Sequence, residues 1–553
     1  PSTIRSTPAS TVSLGYNLTD TADAEFSSSN DLVNTMAKLT PLGWHSGAFY
    51  PSHYPLAGSP SIDAGAPFDF LPLRQDILQA DRILDGDLNA TATIDIGAVE
   101  AAVPVIVSTP IDEDNGTGSV SLREALRDAG PNGRVVVKEA ALAGADTIDL
   151  SSATGQGRAL EITNSVVVDC TDYRIIGFLT GILLNGPVTQ RVIHVHNGVD
   201  LSMHGFSMTG GDAAITGPGQ YGGGIFVDGG RLTLTHSAIY SNASQAGGGG
   251  IGIEDGEAIL ENVTIFANNS TNGGGGILAA GASDVSIRHA TINANTAGTL
   301  AKASGIHAED SSSMTFYSSI LAKNQNTING KVFNASVSGG AEILSQGFNL
   351  SDSLIFTHSN DLPATSGSYF VGSGLTFAGG LAPVRVPIAG SSIVDQGPYF
   401  FAGPPCTDTR GFGRKYGPRI DIGAFELGSF TAAGGPPVDG DSDGMDDWWE
   451  AYYFVNSPTG DLDNDGDNNL TEYQNETNPN FAQSDELYIV AISNQSLNAA
   501  VTWSSNPGVV YEVSSTDNLT SPDWTLGTML VPGAASTNTS AAFAIPTGGS
   551  NPV

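Results

Sequence analysis

Between residues 222 and 326 apolar and polar residues alternate in short runs, broken by glycine clusters. "RLTLTHSAI" and "AILENVTIF" are two such runs. A period of two predicts half-buried strands, with Leu232, Leu234 and Ile239 facing a core and Thr233 and Thr235 facing away from it. The pattern returns in four blocks, which begin at Gly222, Gly247, Gly273 and Ala303. Their first aliphatic residues are Ile225, Ile251, Ile277 and Ile306, and an asparagine closes each block at Asn242, Asn268, Asn295 and Asn324. One rung every ~25 residues, with short strands and tight corners, predicts a parallel β-helix. Asparagines at one rung position predict a ladder of side-chain amides, each bonded to the rung above and below. The "GGGG" runs predict corners and not phosphate cradles, because no Lys-Ser/Thr follows them.

A longer repeat overlies the short one. "GYNLTDT" at Gly15 returns as "GFNLSDS" at Gly347, and "LAGSPSIDAG" at Leu56 as "IAGSSIVDQG" at Ile388. "IDIGAVE" at Ile94 returns as "IDIGAFE" at Ile420. Residues 1–101 therefore read as the closing part of a preceding unit, and 102–428 as a complete unit. The expectation is a chain cut from a longer tandem protein. "SLREALRDA" from Ser121 reads as a short amphipathic helix, with Leu122, Ala125 and Leu126 on one face, capping the open end of the solenoid.

These elements resemble a family of bacterial surface β-helix proteins. Such proteins open on a Ser-Leu-Arg-Glu-Ala element, here Ser121 to Ala125, with Val120 where a Cys is usual. They close on an "SPAIDAG … D-x-RG … R … DIGAFE" segment. "TDTRGFGR" (Thr407 to Arg414) with "DIGAFE" fits that closing segment closely, and "LRQDILQADR" (Leu73 to Arg82) with "DIGAVE" fits it loosely. The resemblance implies a right-handed parallel β-helix on a secreted or surface-displayed protein, and it implies little about activity.

Charge narrows the partners. The chain has 57 acidic and 21 basic residues and a net charge of -36, which disfavours nucleic acid and anionic membrane surfaces. No run approaches the ~20 apolar residues of a membrane span. Cys170 and Cys406 are too few for a disulfide framework and read as buried or idle thiols.

Two acidic stretches carry the clearest chemistry. "DGDSDGMDDWWE" places Asp439, Asp441 and Asp443 at positions 1, 3 and 5 of a twelve-residue calcium loop, Met445 at 7, Asp447 at 9 and Glu450 at 12. "DLDNDGDNNLTE" places Asp461, Asp463, Asp465, Asp467, Asn469 and Glu472 in the same order. Both carry glycine at position 6. A hard cation needs six to eight oxygens, which alternate carboxylates, the carbonyl at position 7 and a closing bidentate glutamate supply. Two calcium ions are expected here, stiffening a linker at 429–484, with short helices ("DDWWEAYYF", "NLTEYQNETNP") following each loop. The pair also resembles dockerin modules, which bind a cohesin-type partner. Residues 485–553 read as strands of a small β-sandwich, resembling domains near the C-termini of bacterial surface proteins.

No nucleophile elbow or HExxH is present. His194, His196, His204, His236, His289 and His307 keep no metal-ligand spacing such as HExxH. Asp228, Asp255 and Asp310 recur near one rung position and read as turn residues, with a carbohydrate-binding stripe as the alternative. The expected function is an extracellular structural or adhesive one, not enzymatic. It would work by self-association or contact with neighbouring surface proteins, including end-to-end assembly into a fibre. Two alternatives stand beside it: a polysaccharide-binding or polysaccharide-cleaving β-helix, and a scaffold docking a cohesin-like partner.

Overall fold

The computed structural model describes residues 221–364 without a break, most of 101–213 and 367–398, and parts of 13–100 and 407–427. It also describes 445, 457–461 and 468–471, and the backbone of five strands between 489 and 544. Two compact units result. One comprises Pro1–Val394, Ala402–Gly413 and Asp421–Leu427; the other comprises Asp395–Phe401, Arg414–Ile420 and Gly428–Val553.

The first unit is built on a parallel β-helix. Its strands stack in a 15-stranded, a 7-stranded and a 5-stranded sheet, and every ladder in these sheets is parallel and follows the rung repeat. Arg231–Tyr240 pairs with Glu257–Phe266 so that Leu232 faces Ala258 and Leu234 faces Leu260. Ile225, Ile251, Ile277 and Ile306 lie in one continuous row. The inward rows form one core, with Leu232, Leu234 and Ile239 in it as the alternation predicts. Thr233 and Thr235 point away from that core and are nevertheless buried. The Thr235 hydroxyl is 2.6 Å from His204 Nδ1 on the neighbouring rung.

Corners recur at fixed rung positions in the left-handed backbone region. His236, Asn262, His289 and Ser318 share one corner, and Ser241, Ala267, Ala294 and Lys323 share the next. Each residue of this second set immediately precedes a ladder asparagine. Asp255 and Asp310 occupy a third corner, at a rung position that Gly229 and Gly281 fill elsewhere, so both are turn residues. The glycine runs are corners as well. A Cβ on Gly249 would lie 2.2 Å from the Asn269 carbonyl oxygen, and one on Gly223 would lie 2.0 Å from that of Ala243. Gly249→Ala is therefore expected to cost about 1–3 kcal/mol through overpacking, read as a lower urea midpoint with an unchanged m-value.

The asparagine ladder forms. Asn268 Oδ1 accepts from both the backbone N–H and Nδ2 of Asn242, at 3.0 and 3.1 Å. Asn295 does the same for Asn268, and Asn324 for Asn295. Asn334 continues the series beyond Asn324.

The opening element is the helix Leu122–Asp128. Ser121 and Glu124 close a reciprocal capping box, and Leu122, Ala125 and Leu126 enter the core. Arg123 binds both oxygens of Asp112, at 2.8 and 2.9 Å. Glu124 also accepts from the N–H groups of Asn115 and Gly116. Its carboxyl is held below the usual glutamate range, first by the Ser121 N–H and then by that of Gly116. Cys170 is buried, donating to the Gly205 carbonyl at 2.7 Å; Cys406 lies outside the described residues.

In the second unit, Ile489–Gln495, Asn498–Ser504 and Asn538–Ala544 form an antiparallel sheet. Val510–Val513 and Met529–Pro532 form an antiparallel pair.

Candidate functional site

The long repeat is also a repeat of structure. In the later closing segment, Asp408 Oδ1 accepts from the Arg410 N–H at 2.8 Å and Oδ2 from the Glu426 N–H at 3.1 Å. Glu426 accepts from the Asp421 N–H at 2.8 Å, and Asp421 from the Leu427 N–H at 2.7 Å. The earlier segment repeats each bond: Leu78 and Glu100 N–H to Asp76 at 2.8 and 2.9 Å, Asp95 N–H to Glu100 at 3.0 Å, and Ala101 N–H to Asp95 at 2.7 Å. "Asp … DIGAxE" is thus a carboxylate bracket that pins a loop by its own backbone.

Both brackets dock on the outer surface of the 15-stranded sheet. The later one uses Asn262 Nδ2 to the Thr407 carbonyl at 2.8 Å, Thr409 Oγ1 to the Asn262 carbonyl at 2.8 Å, and the Ala424 N–H to Thr291 Oγ1 at 3.1 Å. The earlier one lies over the first rungs. There Arg134 donates to the Gly86 carbonyl at 2.9 Å, the Ala57 N–H donates to Asp169, and Tyr54 and Val99 pack on Val167. Burial pushes the Asp95 carboxyl up to about 6, against the pull of backbone N–H groups and of Arg134.

Titratable chemistry gathers on the outer face of the seven-stranded sheet. There Glu161, His194, Phe226, Gly252, Leu278, His307 and Ser336 form one outward row, each in register with the next. The middle of the row is filled. A Cβ on Gly252 would lie 2.5 Å from Tyr221 Cβ, and Phe226 and Leu278 are buried. At the later end, His307 Nδ1 is 2.8 Å from Ser336 Oγ, and Lys302 pairs with Glu309. Burial, and then Lys302, hold the His307 imidazole below its usual range.

At the earlier end, Glu161 Oε2 lies 2.9 Å from His194 Nδ1 and 2.7 Å from His196 Nε2. The two imidazoles have centroids 4.0 Å apart, and His194 stacks on Phe226 at 5.3 Å. Arg191 covers Phe226, 4.6 Å from its centroid. Burial alone would raise the Glu161 carboxyl, but the two histidines outweigh it and the net shift is downward. Burial, and then the Asp228 and Asp255 carboxylates, raise Glu254. A search for helical HExxH spacing misses the Glu161 cluster. In a strand, positions i and i+2 share a face, so "HVH" at 194–196 supplies two donors, and the rung below supplies the glutamate.

Of the expected calcium ligands, Asp439, Asp441, Asp443, Asp447 and Glu450 lie outside the described residues, as do Asp463, Asp465, Asp467 and Glu472. Met445 and Asn469 are buried. Asn468 caps the turn that leaves the second loop, accepting from the Thr471 N–H at 2.9 Å. Asn469 donates through Nδ2 to the Ser457 carbonyl at 2.7 Å, and its Oδ1 is buried without a hydrogen-bond partner among the described residues.

No curated protein and no solved structure matches this chain. Residues 222–373 match the family model described as the right handed beta helix region; with its rungs parallel and in register, this stretch of the chain is a right-handed β-helix.

Proposed function

We propose that this chain is an extracellular structural or adhesive protein. In this reading the β-helix is a stiff module of a tandem array, and the 429–484 segment is a joint set by two calcium ions. A small sandwich at 485–553 follows the joint. One observation carries the reading: a single β-helix accepts the same bracket at two places, Asp76 to Ala101 on its first rungs and Asp408 to Leu427 on its later ones. Docking surfaces for one motif on both early and late rungs are what successive units need to share an uninterrupted solenoid. For the joint, the buried Asn469 Oδ1, without a hydrogen-bond partner among the described residues, fits an oxygen donor at position 9 of a calcium loop, and calcium bound there would stabilise the folded joint by mass action.

Electron micrographs of the chain at high concentration in excess calcium test this reading. Stiff particles joined end to end, and dispersed by a chelator, are expected. Single particles at every concentration would overturn end-to-end assembly. Release of unsaturated or reducing ends from any polysaccharide in a panel would overturn the non-enzymatic reading, and chelator-sensitive capture of a cohesin would reassign the calcium loops.

A further inference from the structure

We propose that Glu161, His194 and His196 form a binding site for a borderline divalent cation of the zinc type, held on two adjacent rungs of the seven-stranded sheet. The site is independent of the calcium loops and of the structural reading above.

The donor set points to the metal. Two imidazoles and one carboxylate suit zinc and its first-row neighbours, whereas calcium takes oxygen ligands alone. The donors are also close enough. Glu161 Oε2 is 2.9 and 2.7 Å from the two ring nitrogens, and all three donor atoms lie within 4.8 Å of one another. In a tetrahedral site with metal–ligand bonds of about 2.0–2.1 Å, neighbouring donors stand roughly 3.3 Å apart. The two carboxylate–imidazole separations therefore need to open by only roughly half an ångström. Its scaffold is stiff: Glu161 and His194 are register partners across a parallel ladder, and the His196 N–H donates to the Ile162 carbonyl at 3.2 Å.

The surroundings supply the second argument. The buried Nε2 of His194 lies 3.8 Å from Asp228 Oδ2 and has no hydrogen-bond partner among the described residues. With a cation on Nδ1, the Nε2–H would face Asp228, the carboxylate–histidine–metal arrangement by which outer carboxylates orient ligands. Arg191, over Phe226, offsets part of the negative charge of Glu161 and Asp228. Side-chain exposures of 49% for Glu161 and 39% for His196 leave the remaining coordination positions open to water or to an oxygen donor on a partner.

The test uses the whole chain, stripped of metal and then kept in excess calcium to fill the oxygen sites. Zinc is titrated by calorimetry, and cobalt(II) is followed through its visible d–d bands. The wild type is expected to take up one zinc equivalent more than the His194→Ala/His196→Ala double variant. Its cobalt bands should be those of an imidazole-ligated site of low coordination number. Glu161→Gln should lose the same equivalent, and Asp228→Asn should weaken binding about 10–100-fold. Equal zinc uptake by wild type and double variant would overturn the proposal. Should the double variant misfold, imidazole resonances of the wild type decide. Zinc-induced shifts confined to His194 and His196 support the site, and unchanged resonances at saturating zinc sink it.

Discussion

Asn268→Ala is expected to lower the unfolding free energy of the β-helix by about 3–5 kcal/mol, because it strands a buried donor and removes several buried hydrogen bonds. The Asn268 side chain is fully buried. Its Nδ2 donates to the Ile239 carbonyl at 2.9 Å and to Asn295 Oδ1 at 3.0 Å. Its Oδ1 receives the backbone N–H and Nδ2 of Asn242. Alanine leaves that N–H without its side-chain acceptor, and it cuts the ladder in two. Asn268→Asp is the informative companion. It keeps the acceptor and loses the donor, so a carboxylate must face Asn295 Oδ1 in the interior, at a cost at least as large. The exposed neighbour Asn269 is the control, with Asn269→Ala expected within about 0.5 kcal/mol of wild type. Urea unfolding measures all three. Hydrogen exchange should place the Asn268→Ala loss on the rungs around 239–295, because stability in a solenoid is summed between neighbours. Equal midpoints for Asn268→Ala and Asn269→Ala would show that the ladder adds nothing beyond packing.

What could be read from the sequence follows from how local the physical signal is. The rungs were legible because isoleucine and asparagine return at one offset, and a parallel ladder converts equal offset into adjacency. Asn334 was not legible, since it enters the ladder from a short excursion after Asn324 and breaks the period. Alternation correctly sent Thr233 and Thr235 away from the core. It could not show that they would be buried all the same, because cover on an outer face comes from elsewhere in the chain. The same limit hid the Glu161 cluster: its members are unremarkable one by one, and only rung stacking joins residues 161 and 194. The closing motif was visible as a string, but its bracket was not, because carboxylates that accept backbone N–H groups look like any acidic turn.

The bracket leads to the second large effect. Arg410→Leu is expected to destabilise the docked segment at 407–427 by about 3–5 kcal/mol, the usual cost of breaking a buried ion pair by removing one partner. Arg410 is buried. Its Nε donates to Asp408 Oδ2 at 2.8 Å and its Nη2 to the Glu426 carbonyl at 2.7 Å, while its guanidinium lies 3.7 Å from the Phe425 ring centroid. The earlier copy shows what a bracket without this arginine looks like. Leu78 stands at the matching position and Val99 replaces the phenylalanine, and Asp76 still accepts two backbone N–H groups. There a guanidinium reaches in from the sheet, since Arg134 is buried and bonds the Gly86 carbonyl. The later bracket carries its own cation instead, so removing it takes from Asp408 its buried ion-pair partner while the N–H groups of residues 410 and 426 still donate to the carboxylate. Asp408→Asn made together with Arg410→Leu should therefore cost less than the two changes summed, with a coupling of about 0.5–3 kcal/mol. Limited proteolysis at 407–427 and urea unfolding read the local and the global effect. An Arg410→Leu protein with wild-type proteolysis and midpoint would place the docking energy in the bonds to Asn262 and Thr291, and would make the buried arginine a specifier of which loop docks rather than a source of stability.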